Sequence, residues 1–157
     1  MNEISQASEN PKQLNPQSRI AVVGRRAAGL IPARLLQSKG FAITVYERDL
    51  NREARVQGAT LDLHQDAGLK ALWAAGLLEV FKTLYRPRAD ISRFVDEKGV
   101  IHLNGHERED YNPEAFDDEH FQPEIDRGPL RTMLFDSLKP ETVVWNSRIL
   151  ALETEES

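Results

Sequence analysis

The feature that most constrains the fold is a strand, a glycine turn, a helix and a second strand within residues 19–47. Residues 19–24, RIAVVG, are dominated by β-branched side chains and predict a strand buried on both faces. Residues 28–39 carry apolar side chains at helical spacing and precede Gly40, a typical helix C-cap. Residues 41–47, FAITVYE, predict a second strand. This order defines a βαβ unit with a right-handed crossover, and it predicts an α/β protein with a Rossmann-like fold.

The turn between the first strand and the helix has part of a dinucleotide-binding pattern. In G-x-G-x-x-G the first glycine makes the turn, the second lets a pyrophosphate approach the backbone, and the third lets helix and strand pack closely. Here Arg26 replaces the second glycine. Glu47 ends the second strand, about 20 residues after the turn, where such folds place an acid that binds a ribose. The residues predicted to surround the pyrophosphate are Gly24, Arg26, Ala27, Ala28 and Gly29.

Arg26 admits two hypotheses. Its side chain either obstructs the pyrophosphate or swings out and pairs with the phosphates. The steric hypothesis is favoured from the sequence, because a Cβ and a long side chain stand where phosphate should touch the backbone. A glycine-containing turn also occurs in unrelated α/β proteins, so the turn by itself does not define a dinucleotide site.

The rest of the chain predicts further helices and a small antiparallel β excursion. Residues 91–95 and 100–103 flank the turn DEKG and predict a hairpin. Residues 106–126 are strongly acidic and predict an irregular, solvated loop. Trp73 and Trp145 lie on apolar faces and are expected in the core. The remaining predicted elements are helices at 66–75, 77–85 and 127–138 and strands at 142–145 and 149–152.

Several segments follow one another in the order of a known enzyme family. They are YERD at 46–49, REAR at 52–55, GATLDLH at 58–64, DEKG at 96–99 and RGPLR at 127–131. Together they resemble the class A FAD-dependent monooxygenases of the para-hydroxybenzoate hydroxylase type, and most closely the tetracycline-inactivating flavin monooxygenases. The resemblance covers residues 19–152 and is more specific than the glycine turn alone.

The resemblance implies an FAD cofactor, NAD(P)H as electron donor, and a small organic substrate that is aromatic or polyketide-like. It implies that Glu47 binds the adenosine ribose, Arg48 contacts the adenosine end, Asp62 lies near the flavin, and Arg127 contacts the ribityl and phosphate region. The family's later Gly-Asp motif and substrate-binding sheet cannot fit after residue 152. We therefore expect the N-terminal part of such an enzyme, with an incomplete FAD-binding domain.

An incomplete sheet has a physical consequence. In this family the first strand is paired on both sides, and its second neighbour comes from a later part of the chain. Without that neighbour, the strand at residues 19–23 keeps free backbone groups along one edge. The sequence thus predicts self-association through an exposed sheet edge.

Composition and charge exclude several classes of protein. Among 157 residues there is no cysteine, which excludes a disulfide scaffold, a thiolate metal site and a cysteine nucleophile. The net charge of -5 disfavours nonspecific nucleic-acid binding, and no apolar run approaches the roughly 20 residues of a membrane helix. The start of the chain lacks the apolar segment of a secretory signal, so a cytoplasmic location is expected. We expect a disordered segment at residues 1–18, the partial domain at 19–152, and an acidic tail at 153–157.

No side chain stands out as a catalytic acid, base or nucleophile, and the histidines have no metal-ligand spacing. This pattern suits a flavin enzyme, in which the cofactor carries the chemistry. It suits equally a noncatalytic remnant that binds no flavin, a reading favoured by Arg26 and by Pro32, which could delay or kink the first helix. A third hypothesis is the NAD(P)-binding domain of a reductase, in which Glu47 would accept the ribose of NAD.

Overall fold

A computed structural model describes residues 18–54, 58–89, 91–105, 112, 115–116 and 121–153. The elements are, in chain order, β1 (Arg19–Val23), α1 (Ala27–Ser38), β2 (Ala42–Tyr46), β3 (Thr60–Asp62), a π-helical turn (Gln65–Leu69) that runs into α2 (Lys70–Ala74), α3 (Leu78–Lys82), β4 (Arg93–Val95), β5 (Ile101–Asn104), β6 (Glu124–Asp126), α4 (Arg127–Asp136) and β7 (Val143–Val144). In this part of the chain no helix is long and apolar enough to cross a membrane.

The main sheet is parallel and has the order β1-β2-β7. Arg19 pairs with Ala42 at one end of the β1–β2 ladder, and Val23 pairs with Tyr46 at the other. The predicted βαβ unit and the α/β fold class are therefore confirmed. Helix α1 begins one residue before the predicted range and contains Pro32, so the proline does not delay the helix.

Two antiparallel pairs accompany the main sheet. The β4–β5 hairpin around residues 96–99 is the predicted excursion. The second pair, β3 with β6, was not predicted. Strand β6 lies inside the stretch expected to be a solvated loop, but Ile125 is fully buried against the helices. Residues 106–111, 113–114 and 117–120 of that stretch, including two of the histidines, lie outside the described residues, as do 1–17 and 154–157.

The core lies on both sides of α1. One cluster joins α1 to α2, α3, β6 and α4 around the fully buried Leu30, Phe81 and Leu134. The other joins α1 to the main sheet around Ala33 and Val45. Burial of such side chains stabilises a fold by about 1.5–3 kcal/mol each, and α1 contributes to both clusters.

Four further expectations from the sequence are wrong. Strand β1 is not buried on both faces, since Val23 is 66% exposed. Trp73 is 71% exposed, and Trp145 is half-buried rather than in the core. Residues 149–152 form no strand, and Leu150 is exposed. The shared reason is that an apolar pattern shows only that a side chain can be buried, whereas burial requires an element packed against it.

Candidate functional site: a cleft at the carboxyl ends of the parallel strands

A cleft of about 560 Å³ opens at the carboxyl ends of the parallel strands, a size usual for small-molecule sites. Its walls come from the end of β1 and the following turn, the end of β2 and its loop, the segment after β7, and Arg131 of α4. In open α/β sheets ligands bind at this end of the strands. Most of the predicted cofactor-binding residues line this cleft, here called the βα cleft: Gly24, Arg26, Ala28, Gly29, Glu47 and Arg48.

The two glycines of the turn have distinct structural roles. Gly24 has φ +87°, a conformation that favours glycine, and its N–H donates to the carbonyl of Tyr46 at 2.8 Å. A Cβ added to Gly29 would overlap the carbonyl oxygen of Gly24. Only glycine at position 29 lets the first turn of α1 lie this close to the end of β1. These are the roles expected for the first and third glycines of the pattern.

Arg26, at the position of the second glycine, is the N-cap of α1. Its backbone is extended (φ -73°, ψ 170°), a conformation open to any residue, so the turn forms without strain. Its carbonyl accepts the N–H groups of Gly29 and Leu30, and its side chain is exposed. The Arg26 side chain makes no capping hydrogen bond with any described residue. Ala28 and Gly29 of the first helical turn line the cleft, where the N-terminal end of a helix gives a favourable potential for an anion.

Glu47 is buried at the cleft wall, with 7% of its surface exposed, and is held by two backbone amides. Its Oε2 accepts the N–H of Arg25 at 2.9 Å, and its Oε1 accepts the N–H of Asp49 at 2.9 Å. The carboxylate is therefore fixed in one orientation. Arg48 directly follows Glu47 in the sequence, and its exposed side chain lines the cleft.

Arg25 is a functional candidate that sequence reasoning missed. Only 3% of it is exposed, and its Nη2 pairs with Oδ2 of Asp49 at 3.2 Å and approaches the carbonyl of Asn51 at 3.4 Å. The guanidinium lies over the Trp145 ring, 4.7 Å from its centroid, while Nε is buried without a hydrogen-bond partner among the described residues. Nothing in the sequence distinguishes Arg25 from Arg26; which arginine turns inward depends on the segments that follow β2 and β7.

A second, smaller pocket of about 380 Å³ lies between the start of α1 and α4. It is lined by Ala27 and Arg127, and it shares Arg26, Ala28 and Arg131 with the βα cleft. This pocket, here called the α1–α4 pocket, thus adjoins the βα cleft along a common wall.

Asp62 lies apart from both cavities. It is exposed on β3, where its Oδ2 lies 3.1 Å from Nε2 of His64. The structure therefore does not bring Asp62 together with the other predicted residues, and its role near a flavin stays a prediction. In the part of the chain that the structure describes, no three carboxylate or imidazole groups converge as a metal site requires.

Arg131 contributes a positive charge to the wall that the two cavities share. Burial lowers the pKa of its guanidinium, and the neighbouring positive charge of Arg25 lowers it further, while Asp49 acts in the opposite direction. An arginine remains protonated at neutral pH in any case. The attraction of a bound anion would offset both the desolvation cost and the repulsion between the neighbouring positive charges.

The segment after β7 also belongs to the site, and of its lining residues only Ile149 lay in a predicted element, the strand at 149–152. Ser147, Arg148 and Ile149 line the βα cleft, and the N–H of Ser147 donates to the carbonyl of Glu47 at 2.8 Å. No local signal predicts this, because the contact depends on β7 lying beside β2.

The curated proteins that this chain resembles are monooxygenases. The chain is 31% identical over 137 residues to monooxygenase asqM of Emericella nidulans, covering 84% of this chain and 28% of that protein. It is 30% identical over 139 residues to monooxygenase penA of Penicillium thymicola, covering 85% of this chain and 29% of that protein. The chain therefore spans less than a third of the curated relatives it matches. No protein-family model matches the sequence.

Solved structures share the fold. Tetracycline destructase Tet(55) superposes with a TM-score of 0.65 at 21% identity, covering 90% of this chain and 33% of that one. The tetrameric form of 2-methyl-3-hydroxypyridine-5-carboxylic acid oxygenase gives 0.67 at 21% identity, covering 88% and 34%. Klebsiella pneumoniae HpxO, complexed with FAD and uric acid, gives 0.63 at 15% identity, covering 87% and 33%.

The fold is a Rossmann-like α/β domain, and it is shared with solved FAD-containing proteins. The resemblance to flavin monooxygenases, tetracycline-inactivating enzymes among them, is confirmed: the curated relatives are monooxygenases, and the structural neighbours include tetracycline destructases and a protein named as an FAD-containing monooxygenase.

Proposed function

We propose that the βα cleft binds FAD and that the chain is the N-terminal, FAD-binding part of an NAD(P)H-dependent monooxygenase. The observation that carries the proposal is the Glu47 carboxylate, held by two backbone amides in the wall of a cleft that also contains the start of α1. An acid and a helix N-terminus in one cleft suit a ligand that presents both hydroxyl groups and phosphates.

The start of α1 suits the pyrophosphate. The Gly29 contact brings the first turn of α1 to the end of β1, so the positive end of the helix lies at the cleft. Around it stand the arginines of the common wall, Arg26 and Arg131, with Arg127 in the adjoining pocket. Guanidinium groups pair with phosphate oxygens bidentately, so the cationic character of this wall fits a diphosphate.

Glu47 suits the adenosine ribose. A carboxylate oxygen has two lone pairs, and each oxygen of Glu47 uses one of them on a backbone N–H. Each oxygen therefore keeps an acceptor position for a hydroxyl group. The exposed guanidinium of Arg48 stands at the same end of the cleft, where it would contact the adenosine portion.

For Arg26 we now favour pairing with the phosphates over obstruction. Its backbone is unstrained, its side chain is exposed, and it belongs to both cavities. An exposed guanidinium on a flexible stem can turn toward a phosphate without displacing any buried contact. The charge of Arg26 would then replace the close backbone approach that a second glycine provides.

The two adjoining cavities suit an extended dinucleotide. Adenosine would occupy the βα cleft and the diphosphate the common wall, so the rest of the cofactor would continue toward Arg127 in the α1–α4 pocket. When bound, the flavin would supply the redox and oxygen chemistry of a monooxygenase, with NAD(P)H as the reductant. The names of the structural neighbours favour a small aromatic, heteroaromatic or polyketide-like organic molecule as substrate. A cytoplasmic location stays a prediction.

Titration of the purified chain tests the proposal. FAD fluorescence should be quenched at saturation, and FAD should raise the melting temperature. Stabilisation by NAD with no response to FAD would favour the reductase hypothesis instead. A folded chain that responds to neither cofactor would favour the noncatalytic remnant.

A further inference from the structure

Arg25, the buried arginine of the turn after β1, is connected to the Glu47 carboxylate both through its backbone and through its side-chain ion pair. Both amides that hold the Glu47 carboxylate belong to residues whose own side chains are paired with each other. The N–H groups come from Arg25 and Asp49, and the same two residues form the ion pair between Nη2 and Oδ2. The three residues close a ring in which two backbone hydrogen bonds and one ion pair support one another.

This ion pair is more than an exposed surface contact. The side chains of Arg25 and Asp49 are only 4% and 12% exposed, so water screens the pair weakly. The Arg25 guanidinium is also fixed by the Trp145 ring and by the carbonyl of Asn51. The pair therefore joins the turn after β1, the loop after β2 and the segment after β7, three separate strand ends.

We propose that Arg25 and Asp49 are positioning residues, whose side-chain pair keeps the two amides at the spacing that orients Glu47 toward the adenosine ribose. The inference rests on the proposed adenosine site. Arg25 and Asp49 both line the βα cleft, but only 3% of Arg25 is exposed and its guanidinium is engaged by Asp49, the Asn51 carbonyl and the Trp145 ring. Its effect on the ligand therefore runs through Glu47. Loss of the pair would free the loop after β2, and the carboxylate would lose its fixed orientation.

The chain contains a matched control. Arg52 pairs with Asp136 at 2.7 Å and lies over the Phe135 ring, 4.6 Å from its centroid. Like the Arg25 cluster it combines an arginine, an aspartate and an aromatic ring, but its two charged side chains are more exposed, at 36% and 55%, and it lines neither cavity. Arg25→Met should therefore affect the site, whereas Arg52→Met should not.

The first measurement needs no ligand. In the 157-residue chain, the Arg25→Met substitution should make the backbone amides of residues 25 and 49 exchange hydrogen about tenfold faster or more. This acceleration is expected when a hydrogen bond to a charged group is lost. Arg52→Met should leave both amides protected. If Arg25→Met does not fold, Arg25→Met/Asp49→Asn removes the pair without leaving a buried unpaired charge. Unchanged protection in a folded variant would overturn the proposal, whether or not the chain binds FAD.

The second measurement separates positioning from general damage. ADP presents a ribose to Glu47, whereas inorganic pyrophosphate does not. Loss of the Arg25–Asp49 pair should weaken ADP binding by about ten- to a hundredfold and leave pyrophosphate binding unchanged. Equal losses of affinity for ADP and pyrophosphate would show that the pair has only a structural role. A wild-type chain that binds neither FAD nor ADP would refute the proposed function, while the exchange measurement would still decide the positioning role.

Discussion

Arg25 and Asp49 form an ion pair at 3.2 Å and also donate their backbone N–H groups to opposite oxygens of the Glu47 carboxylate. The acid that ends β2 is thereby held between two strand ends, and it lines the βα cleft with one acceptor position left on each oxygen. This arrangement makes Glu47 a preorganised acceptor, which binds a hydroxyl group with little loss of conformational entropy.

Glu47→Gln should weaken FAD binding by about 1–3 kcal/mol, because it removes charge-assisted hydrogen bonds to the ribose and disturbs those from the two amides. Fluorescence titration measures the change. Glu53→Gln, which removes the same charge from an exposed residue outside both cavities, is the control. Equal affinity of the Glu47→Gln and wild-type chains would exclude Glu47 from the site.

Arg26→Gly should loosen FAD binding by about 1–2 kcal/mol and flatten its dependence on salt, because a charge paired with the phosphates is lost. Titrations at two salt concentrations measure both effects. Arg93→Ser gives the same change in net charge on β4, outside the two cavities. Tighter binding by Arg26→Gly would instead support the obstruction favoured by the sequence.

Gly29→Ala should destabilise the fold by about 3 kcal/mol, since the new Cβ overlaps the Gly24 carbonyl and forces α1 away from β1. Gly128→Ala is the matched control, because a Cβ there meets no atom within 4 Å and position 128 lies in helix α4. Denaturant unfolding compares the two. Similar stability of both variants would mean that the close helix–strand contact is unimportant.

The edge of β1 should cause self-association, because β2 is its only strand partner among the described residues. Light scattering and thermal melting at several protein concentrations should show a concentration-dependent transition. Ala21→Lys should reduce the association by placing a charge on the edge strand, whereas Ala42→Lys on the central strand should not. A monomer with a cooperative, concentration-independent melt would show that the edge is covered.

The β4–β5 turn should loosen in acid. The N–H of Val100 lowers the pKa of Asp96, and His102 and the N–H of Lys98 lower it further. The contribution of Asp96 is therefore present above its unfolded-state pKa, about 3.9, and is lost as pH falls through the lower folded-state value. The NMR shifts of the Lys98 and Val100 amides should report this transition, and Asp96→Asn should abolish it. An identical acidic transition in the variant would assign it to another group.

The βαβ unit was predictable because its signals are local. Gly24 is needed for its positive φ, and Gly29 is needed because a Cβ there would overlap the Gly24 carbonyl. Glu47 was identified from its position at the end of a strand. The β3–β6 pair was not predictable in the same way. Its two short strands are far apart in the chain, and one lies in a segment whose acidic composition is typical of solvated loops.

The sequence by itself determined the order of strand, turn, helix and strand, the place of the cleft, and the acid in its wall. Those features depend on neighbouring residues and on the periodicity of the backbone. Only the tertiary structure decided that Arg25 turns inward while Arg26 stays exposed, and that the segment after β7 joins the site. The physical reason is that burying a guanidinium requires a carboxylate and an aromatic ring from two distant segments, Asp49 and Trp145, which meet it only when β2 and β7 pair.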